Sequence, residues 1–250
     1  MDTDYINELR RFEMNKLSSL IPKGSKVLEF GSGTGEQAKY LSELGHDVVA
    51  IDLPSSAYAA HRVFPVQDYD GRKIPLEDNS VDVIFSSNVM EHVEYLKEIL
   101  SEHRRVLRPG GIAIHAVPTS LWRFWTFASG PPASLRALAR LVSNPRAPVG
   151  HGGRPLTAFQ HFKAIVGPVV PVGHGTSFEG ISELWTFSSR AWRRTFRRNG
   201  WDVQHHEPMG MFYTGNAIFG SKVPFPRRER LSAFLGSAVN VFVVRPSELK

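Results

Sequence analysis

Short apolar runs alternate with amphipathic stretches through the first half of the chain, and the alternation predicts strand, helix, strand in repeating order. The runs Lys26 to Phe30, Asp47 to Asp52, Val81 to Ser86 and Gly111 to Val117 read as strands. Between them one helix begins at about Glu36, a short one falls around Ser55 to His61, and a longer one covers Val93 to Leu107. In the longer helix Leu96, Ile99, Leu100, His103, Val106 and Leu107 recur at helical spacing, and Arg108-Pro109-Gly110-Gly111 marks its end. Strands that alternate with helices imply a parallel sheet covered on both faces.

After Pro118 the alternation stops. Residues 119 to about 185 carry many prolines and glycines, from Pro131-Pro132 to Gly173, which points to an inserted functional segment. Alternation resumes with a helix from about Ser189 to Asn199 stopped by Gly200, a strand Trp201 to His206 and a last β-branched run, Ala238 to Val244. This divides the chain into a first half of the core (1–118), an inserted cap (119–187) and a C-terminal completion of the core (188–250).

Composition changes the picture in three ways. At 250 residues, 42% hydrophobic and 22% charged, the chain can bury one substantial α/β core. It contains no cysteine, which excludes disulfides, zinc–thiolate sites and a cysteine nucleophile. Its net charge of +6 and pI near 9.7 suit an anionic partner, a solvated basic surface being the plainer alternative. Met1 to Arg10 is polar and acidic, without the apolar stretch of a signal peptide, and no run approaches the ~18 apolar residues of a membrane span. A cytoplasmic location is expected.

Candidate chemistry concentrates at Val27-Leu28-Glu29-Phe30-Gly31-Ser32-Gly33-Thr34-Gly35, a strand running into a tight glycine loop and then a helix. A dinucleotide site wants G-x-G-x-x-G, with a helix N-terminus aimed at a pyrophosphate. The spacing in this chain is G-x-G-x-G, and Glu29 precedes it by two positions. A carboxylate there suits a cationic ligand and repels a pyrophosphate. Asp52 follows Gly35 by seventeen positions, near the spacing at which an acid on the second strand reaches ribose hydroxyls. Capping of the Ser55 helix is its alternative role.

Three further motifs follow in order: Ile74-Pro75-Leu76-Glu77-Asp78-Asn79-Ser80-Val81-Asp82-Val83-Ile84, Glu91-His92, and Arg105-Val106-Leu107-Arg108-Pro109-Gly110-Gly111. With them the chain resembles the class I S-adenosylmethionine-dependent methyltransferases of the type 11-like group, strongly over about residues 24 to 118. The resemblance implies a Rossmann-like α/β fold. Its seven-stranded, mostly parallel sheet would have the order 3-2-1-4-5-7-6, with an antiparallel last strand and a cap inserted after the fifth. It implies S-adenosylmethionine as cofactor, held by Glu29, Gly31, Ser32, Gly33, Gly35 and Asp52, with Leu53 against the adenine. Asp68 would accept from the adenine amino group, the Tyr69 amide would face the ring, and Ser87 and Asn88 would lie near the methionine end. No metal is expected, because Asn88 stands where metal-binding relatives have the first acid of Glu-x-x-Glu-His. No DNA acceptor is expected either, since Ser86-Ser87-Asn88-Val89 lacks the Asn/Asp-Pro-Pro-aromatic motif of enzymes that methylate nucleic-acid amino groups.

Methyl transfer is mainly a matter of alignment, and a base is needed only when the acceptor must lose a proton. The candidates are His174, His92 and His151. His174, with Glu179 and Glu183 downstream, and His151 sit between glycines, while the Glu91-His92 pair reads first as capping and packing. A surface-loop histidine is the simpler reading of each. Leu121 to Phe127 packs four aromatics and an arginine into seven positions, and Ser134 to Val142 is amphipathic and basic. That segment, 121–142, is expected either to pack as a cap or to make peripheral contact with the inner face of a membrane. The layout resembles methyltransferases among surface-polysaccharide and lipid-modifying enzymes, implying a small-molecule, glycan or lipid-linked acceptor methylated at oxygen. The alternatives are an RNA or protein methyltransferase that uses the basic surface, or a non-catalytic binding subunit of the same fold.

Overall fold

Apolar runs with no polar face are stable as strands only where helices cover both sides, and the sheet places them there. The computed structural model describes residues 3–143, 157–170, 173–175, 180–214 and 223–248. Its strands are β1 (Lys26–Phe30), β2 (Asp47–Asp52), β3 (Val66–Asp68), β4 (Val81–Ser87), β5 (Leu107–Pro118), β6 (Trp201–Pro208) and β7 (Val239–Pro246). They form one sheet in the order β3-β2-β1-β4-β5-β7-β6, the order the resemblance implies. β7 runs antiparallel to both of its neighbours, and the remaining pairs are parallel. The helices in chain order are α1 (Thr3–Leu17), α2 (Glu36–Glu43), α3 (Leu96–Val106), α4 (Ser120–Ala128), α5 (Gly130–Ser143), α6 (Ala158–Val166), α7 (Glu183–Thr186), α8 (Ser189–Arg198) and α9 (Phe225–Leu235).

The chain falls into two units. The first comprises residues 1–118, 187–209 and 239–250, and holds the whole sheet with α1, α2, α3 and α8. Its core is continuous from Leu28 and Phe30 on β1 through Ile84 on β4, Ile99 and Leu100 on α3, Phe196 on α8 and Phe242 on β7. The second unit comprises 119–186 and 210–238, and is helical: α4 to α7 and α9. Residues 210–238, which the sequence pattern leaves in the C-terminal part of the core, cluster with the insertion.

Several element boundaries differ from the sequence expectation. Around Ser55 to His61 only a 3-10 turn forms, at Ala59–His61. α3 begins at Leu96 rather than Val93, because Met90–His92 is taken by another 3-10 turn. Arg108-Pro109-Gly110-Gly111 ends the helix but lies within β5. Val81 pairs with Leu107 and Val83 with Ile112, so the extra residues on β5 bulge out of the ladder, with Gly110 at φ 82°. α1 lies in a stretch that reads simply as polar; Leu9, Met14 and Leu17 bury its inner face.

Two histidines are embedded in the first unit. His103 of α3 and His115 of β5 are fully buried and stack with ring centroids 5.5 Å apart, while Ser86 Oγ lies 2.8 Å from His115 Nδ1. Burial holds both rings neutral, pushing His115 down to about 3 and His103 well below its ordinary value. The unfolded chain takes up these protons below about pH 6.5 and the native state does not, so the stability they support is complete above that pH and lost as pH falls towards 3. Between about pH 6 and 4.5 urea unfolding should show a net loss on the order of 1 kcal/mol per pH unit, two histidines acting against the one buried carboxyl, Glu29, that titrates in the opposite sense. His103→Leu should flatten that slope; a slope unchanged in the variant would contradict the assignment.

Candidate functional site

The strand order reverses between β1 and β4, and the crevice beyond their carboxyl ends is where open α/β sheets place ligands. The loop Gly31-Ser32-Gly33-Thr34-Gly35 leaves β1 at this point. Its shape depends on glycine: Gly31, Gly33 and Gly35 have φ of 75°, 55° and 78°. A Cβ on Gly31 would stand 2.6 Å from the Val89 methyls, and one on Gly35 2.8 Å from Phe64 Cβ. The N–H groups of Gly31 and Ser32 both donate to the Ile51 carbonyl, at 2.9 and 3.0 Å, and the Ser32 hydroxyl donates to it at 3.1 Å. The Gly33 N–H donates to Asp52 Oδ2 at 2.9 Å. Asp52 therefore ties the loop to the end of β2 and caps no helix; its Oδ1 accepts from the Leu53 N–H at 2.8 Å. Each carboxylate oxygen keeps capacity for a further donor.

Glu29 brings a carboxyl into the interior. Its side chain is 2% exposed, and Oε2 has no hydrogen-bond partner. Burial pushes its carboxyl up to about 8, with the Asp52 charge adding to the rise and the Ala38 N–H and Arg10 opposing it. A buried carboxyl with one oxygen unsatisfied is costly unless a donor or positive charge arrives.

The remaining cofactor candidates ring the same strand ends. Asp68 at the end of β3 pairs with Arg62 at 2.8 Å and lies in register with Asp52. Asp70, its neighbour in sequence, accepts from the Arg72 and Lys73 N–H groups and shapes a turn, which holds its carboxyl below the ordinary value. The Tyr69 N–H donates to the Asp52 carbonyl at 3.1 Å, so that amide is engaged within the sheet edge, while the Tyr69 ring packs edge-on against Phe30. Leu53 is exposed.

At the end of β4, Ser87 and Asn88 meet a residue the sequence reading missed. Arg10 of α1 donates to Ser87 Oγ at 3.2 Å and pairs with buried Glu13 at 2.6 Å. With its amide oxygen turned towards the guanidinium, Asn88 accepts from both Arg10 nitrogens, at 2.6 and 3.3 Å. Asn88 adopts φ 54°, a backbone shape that asparagine tolerates better than most residues. No local pattern marks Arg10, since its partner Ser87 lies 77 residues away.

The histidine candidates separate. His92 sits in the 3-10 turn Met90–His92, half-exposed, with Nε2 3.8 Å from the carboxylate of buried Glu91. His174 belongs to the second unit, where Glu183 anchors its loop. Glu183 Oε1 accepts from the N–H groups of His174 and Gly175 at 2.6 and 2.9 Å, and Oε2 lies 2.7 Å from Arg123 Nε. The Trp122 ring meets the His174 ring edge-on at 4.7 Å. Glu183 is thus fixed by Arg123 and the loop backbone, a tether for the histidine rather than a partner for its imidazole. His151 and Glu179 lie outside the described residues.

Known proteins share parts of this sequence and its fold. Residues 28–115 match the family described as "Methyltransferase domain". The malonyl-[acyl-carrier protein] O-methyltransferase of Pectobacterium atrosepticum is 34% identical over 119 residues, 45% of this chain and 47% of that protein. The chain thus matches less than half the length of the first curated relatives. Among solved structures, an S-adenosylmethionine-dependent methyltransferase from Mesorhizobium loti is similar with TM-score 0.54 and 18% identity, covering 94% of this chain and 97% of that one. The 1,6-didemethyltoxoflavin-N1-methyltransferase of Burkholderia thailandensis, solved with S-adenosylhomocysteine, is similar with TM-score 0.52 and 12% identity, covering 94% and 77%. These structural likenesses speak to the fold.

The raised carboxyl of Glu29 has a testable consequence. Between about 4.5 and 8 the folded state holds a proton that the unfolded chain releases, so this contribution to stability is full below pH 4.5 and lost as pH rises through 8. Above about pH 6.5 the buried histidines no longer change protonation on unfolding, which isolates the Glu29 effect. Melting curves from pH 6.5 to 8 should show stability falling on the order of 1 kcal/mol per pH unit. Glu29→Gln should remove the fall, and an identical pH dependence in that variant would refute it.

Proposed function

We propose that the protein, whose residues 28–115 match the methyltransferase domain family, uses S-adenosylmethionine to methylate a small-molecule, glycan or lipid-linked acceptor at oxygen. The observation that carries this reading is the buried Glu29 carboxyl with its unpartnered oxygen beside a loop that only glycine can shape. A pyrophosphate would push that carboxyl up further and find no counter-ion in it, whereas an ammonium or sulfonium draws its pKa down and meets the carboxylate.

The residues present fit that cofactor. Asp52 would accept from the ribose hydroxyls with its remaining lone pairs, Leu53 would offer apolar surface to the adenine, and Asp68 would accept from the adenine amino group. Ser87, Asn88 and the Arg10 guanidinium they hold would receive the methionine end, Arg10 as counter-ion to its carboxylate. When bound, the cofactor supplies a methyl carbon activated by its sulfonium. The chain's own work is to orient it and the acceptor and to exclude water.

The choice of oxygen is supported by the Pectobacterium relative, which is named an O-methyltransferase. A carboxylate acceptor arrives without a proton, but a hydroxyl must lose one. For that proton His174 is the proposed base, with His92 and His151 as alternatives. A lipid-linked acceptor goes with a place at the inner face of a membrane; among the described residues no helix is long and apolar enough to cross one. A second reading, an anionic polymer as acceptor, is favoured by one feature: Arg190, Arg193, Arg194, Arg197 and Arg198 line a depression of about 510 Å³ along α8. Steep weakening of RNA binding with salt would be its signature.

Titration calorimetry with S-adenosylmethionine, S-adenosylhomocysteine and NAD tests the cofactor assignment. The first two should bind and NAD should give no heat; silence from all three would overturn the proposal. Asp52→Ala should weaken binding by roughly 1–3 kcal/mol, and unchanged affinity would remove Asp52 from the site. With a hydroxyl acceptor, His174→Ala should lower kcat about 10²-fold and leave cofactor affinity unchanged. A full kcat would exclude His174 as the base.

A further inference from the structure

The second unit carries a surface that methyl transfer does not require. Of the seventeen exposed large hydrophobic side chains among the described residues, thirteen belong to this unit. Singly exposed apolar residues need no explanation, but their placement and company in this unit do. On α5, Leu135, Leu138 and Val142 recur at helical spacing and are 67%, 44% and 78% exposed. On α6, which packs against α5, Phe159 and Phe162 are 73% and 61% exposed, and Lys163 stands beside them in helical projection.

Charge identifies the occupant. Residues 119–178 contain no aspartate or glutamate, whereas Arg136, Arg140 and Lys163 are exposed along them. A second copy of the chain would bring this face against its own like charge, because a two-fold interface pairs a patch with itself. Nucleic acid would leave the leucine and valine side chains without partners, since they neither stack on bases nor hydrogen-bond. An anionic bilayer satisfies both features: its headgroups neutralise the cations and its acyl boundary takes the aliphatic and aromatic side chains. α4, α5 and α6, of 9, 14 and 9 residues, are too short to span a membrane and can only lie along one.

We infer that the α5–α6 face of the second unit docks on an anionic phospholipid surface, with Leu135, Val142, Phe159 and Phe162 entering the interface and Lys163 on the headgroups. It goes beyond the 121–142 segment that the sequence marks, because α6 supplies two of the most exposed aromatics. The inference does not depend on which acceptor is methylated.

Vesicle flotation with the full chain tests it. Vesicles of phosphatidylcholine carrying about one-third phosphatidylglycerol should float the protein, and pure phosphatidylcholine should retain on the order of tenfold less. Phe159→Ser with Phe162→Ser should reduce partitioning on the order of tenfold, and Lys163→Gln should weaken the preference for the anionic lipid. Circular dichroism and calorimetric titration of S-adenosylhomocysteine on the same preparations separate this outcome from a misfolded variant and from failure of the cofactor reading. Absence of flotation, equal flotation on neutral vesicles, or an unaffected aromatic variant would each overturn the inference. So would a concentration-dependent dimer in sedimentation that the Phe159 and Phe162 substitutions abolish, since it would assign the face to a second copy.

Discussion

Three backbone N–H groups, from Gly31, Ser32 and Gly33, converge on the carboxyl end of β2, two on the Ile51 carbonyl and one on the Asp52 carboxylate. This convergence sets the spacing between the first two strands at the crevice, and so fixes where Glu29 and Asp52 stand relative to each other. At Gly31 and Gly35 neighbouring side chains have already taken the space a Cβ would need, and the positive φ at all three glycines disfavours any other residue. The local positive-φ backbone is therefore a consequence of the strand junction, and the electrostatics of Glu29 a consequence of both.

Electrostatically, the first unit holds groups that titrate in opposite senses. Glu29 retains a proton that a solvated carboxyl would have lost, and the stacked His103 and His115 refuse protons that solvated imidazoles would accept. The cause is the same for all three: removal from water in a close-packed interior penalises whichever form is charged. The difference lies in the remedy. The histidines rest neutral among Phe30, Phe196 and each other, with His115 Nδ1 against Ser86 Oγ. Glu29 keeps an oxygen without a partner where the strand order reverses, between the glycine loop and Asp52.

Most of the strands and the glycine loop were legible in the sequence because each leaves a local trace, continuous apolar runs and a fixed glycine spacing, while the strand order came from the family resemblance. What was not legible depends on distant partners. Arg10 lies in a stretch that reads as polar, and acquires its place only when α1 reaches Ser87 and Asn88. Glu183 reads as a possible partner for the His174 ring and proves to be held by Arg123, sixty positions earlier, with the loop amides. The start of β5 at Leu107 was hidden because Pro109-Gly110 looks like a stop, yet a bulge absorbs it. Residues 210–238 have ordinary composition, and nothing within them announces that they join the insertion.

The path of the chain between its two units bears on how it is made. β5 ends at Pro118, but the strand that hydrogen-bonds along its far edge, β7, does not begin until Val239. During synthesis both excursions into the helical unit must therefore emerge before that edge is covered. For as long as translation of those residues takes, a buried, apolar strand would expose its hydrogen-bonding row to any other strand nearby. Slow codons or a stalled ribosome between 119 and 238 would lengthen that exposure without altering a single residue of the finished protein, and the penalty would appear as lost yield.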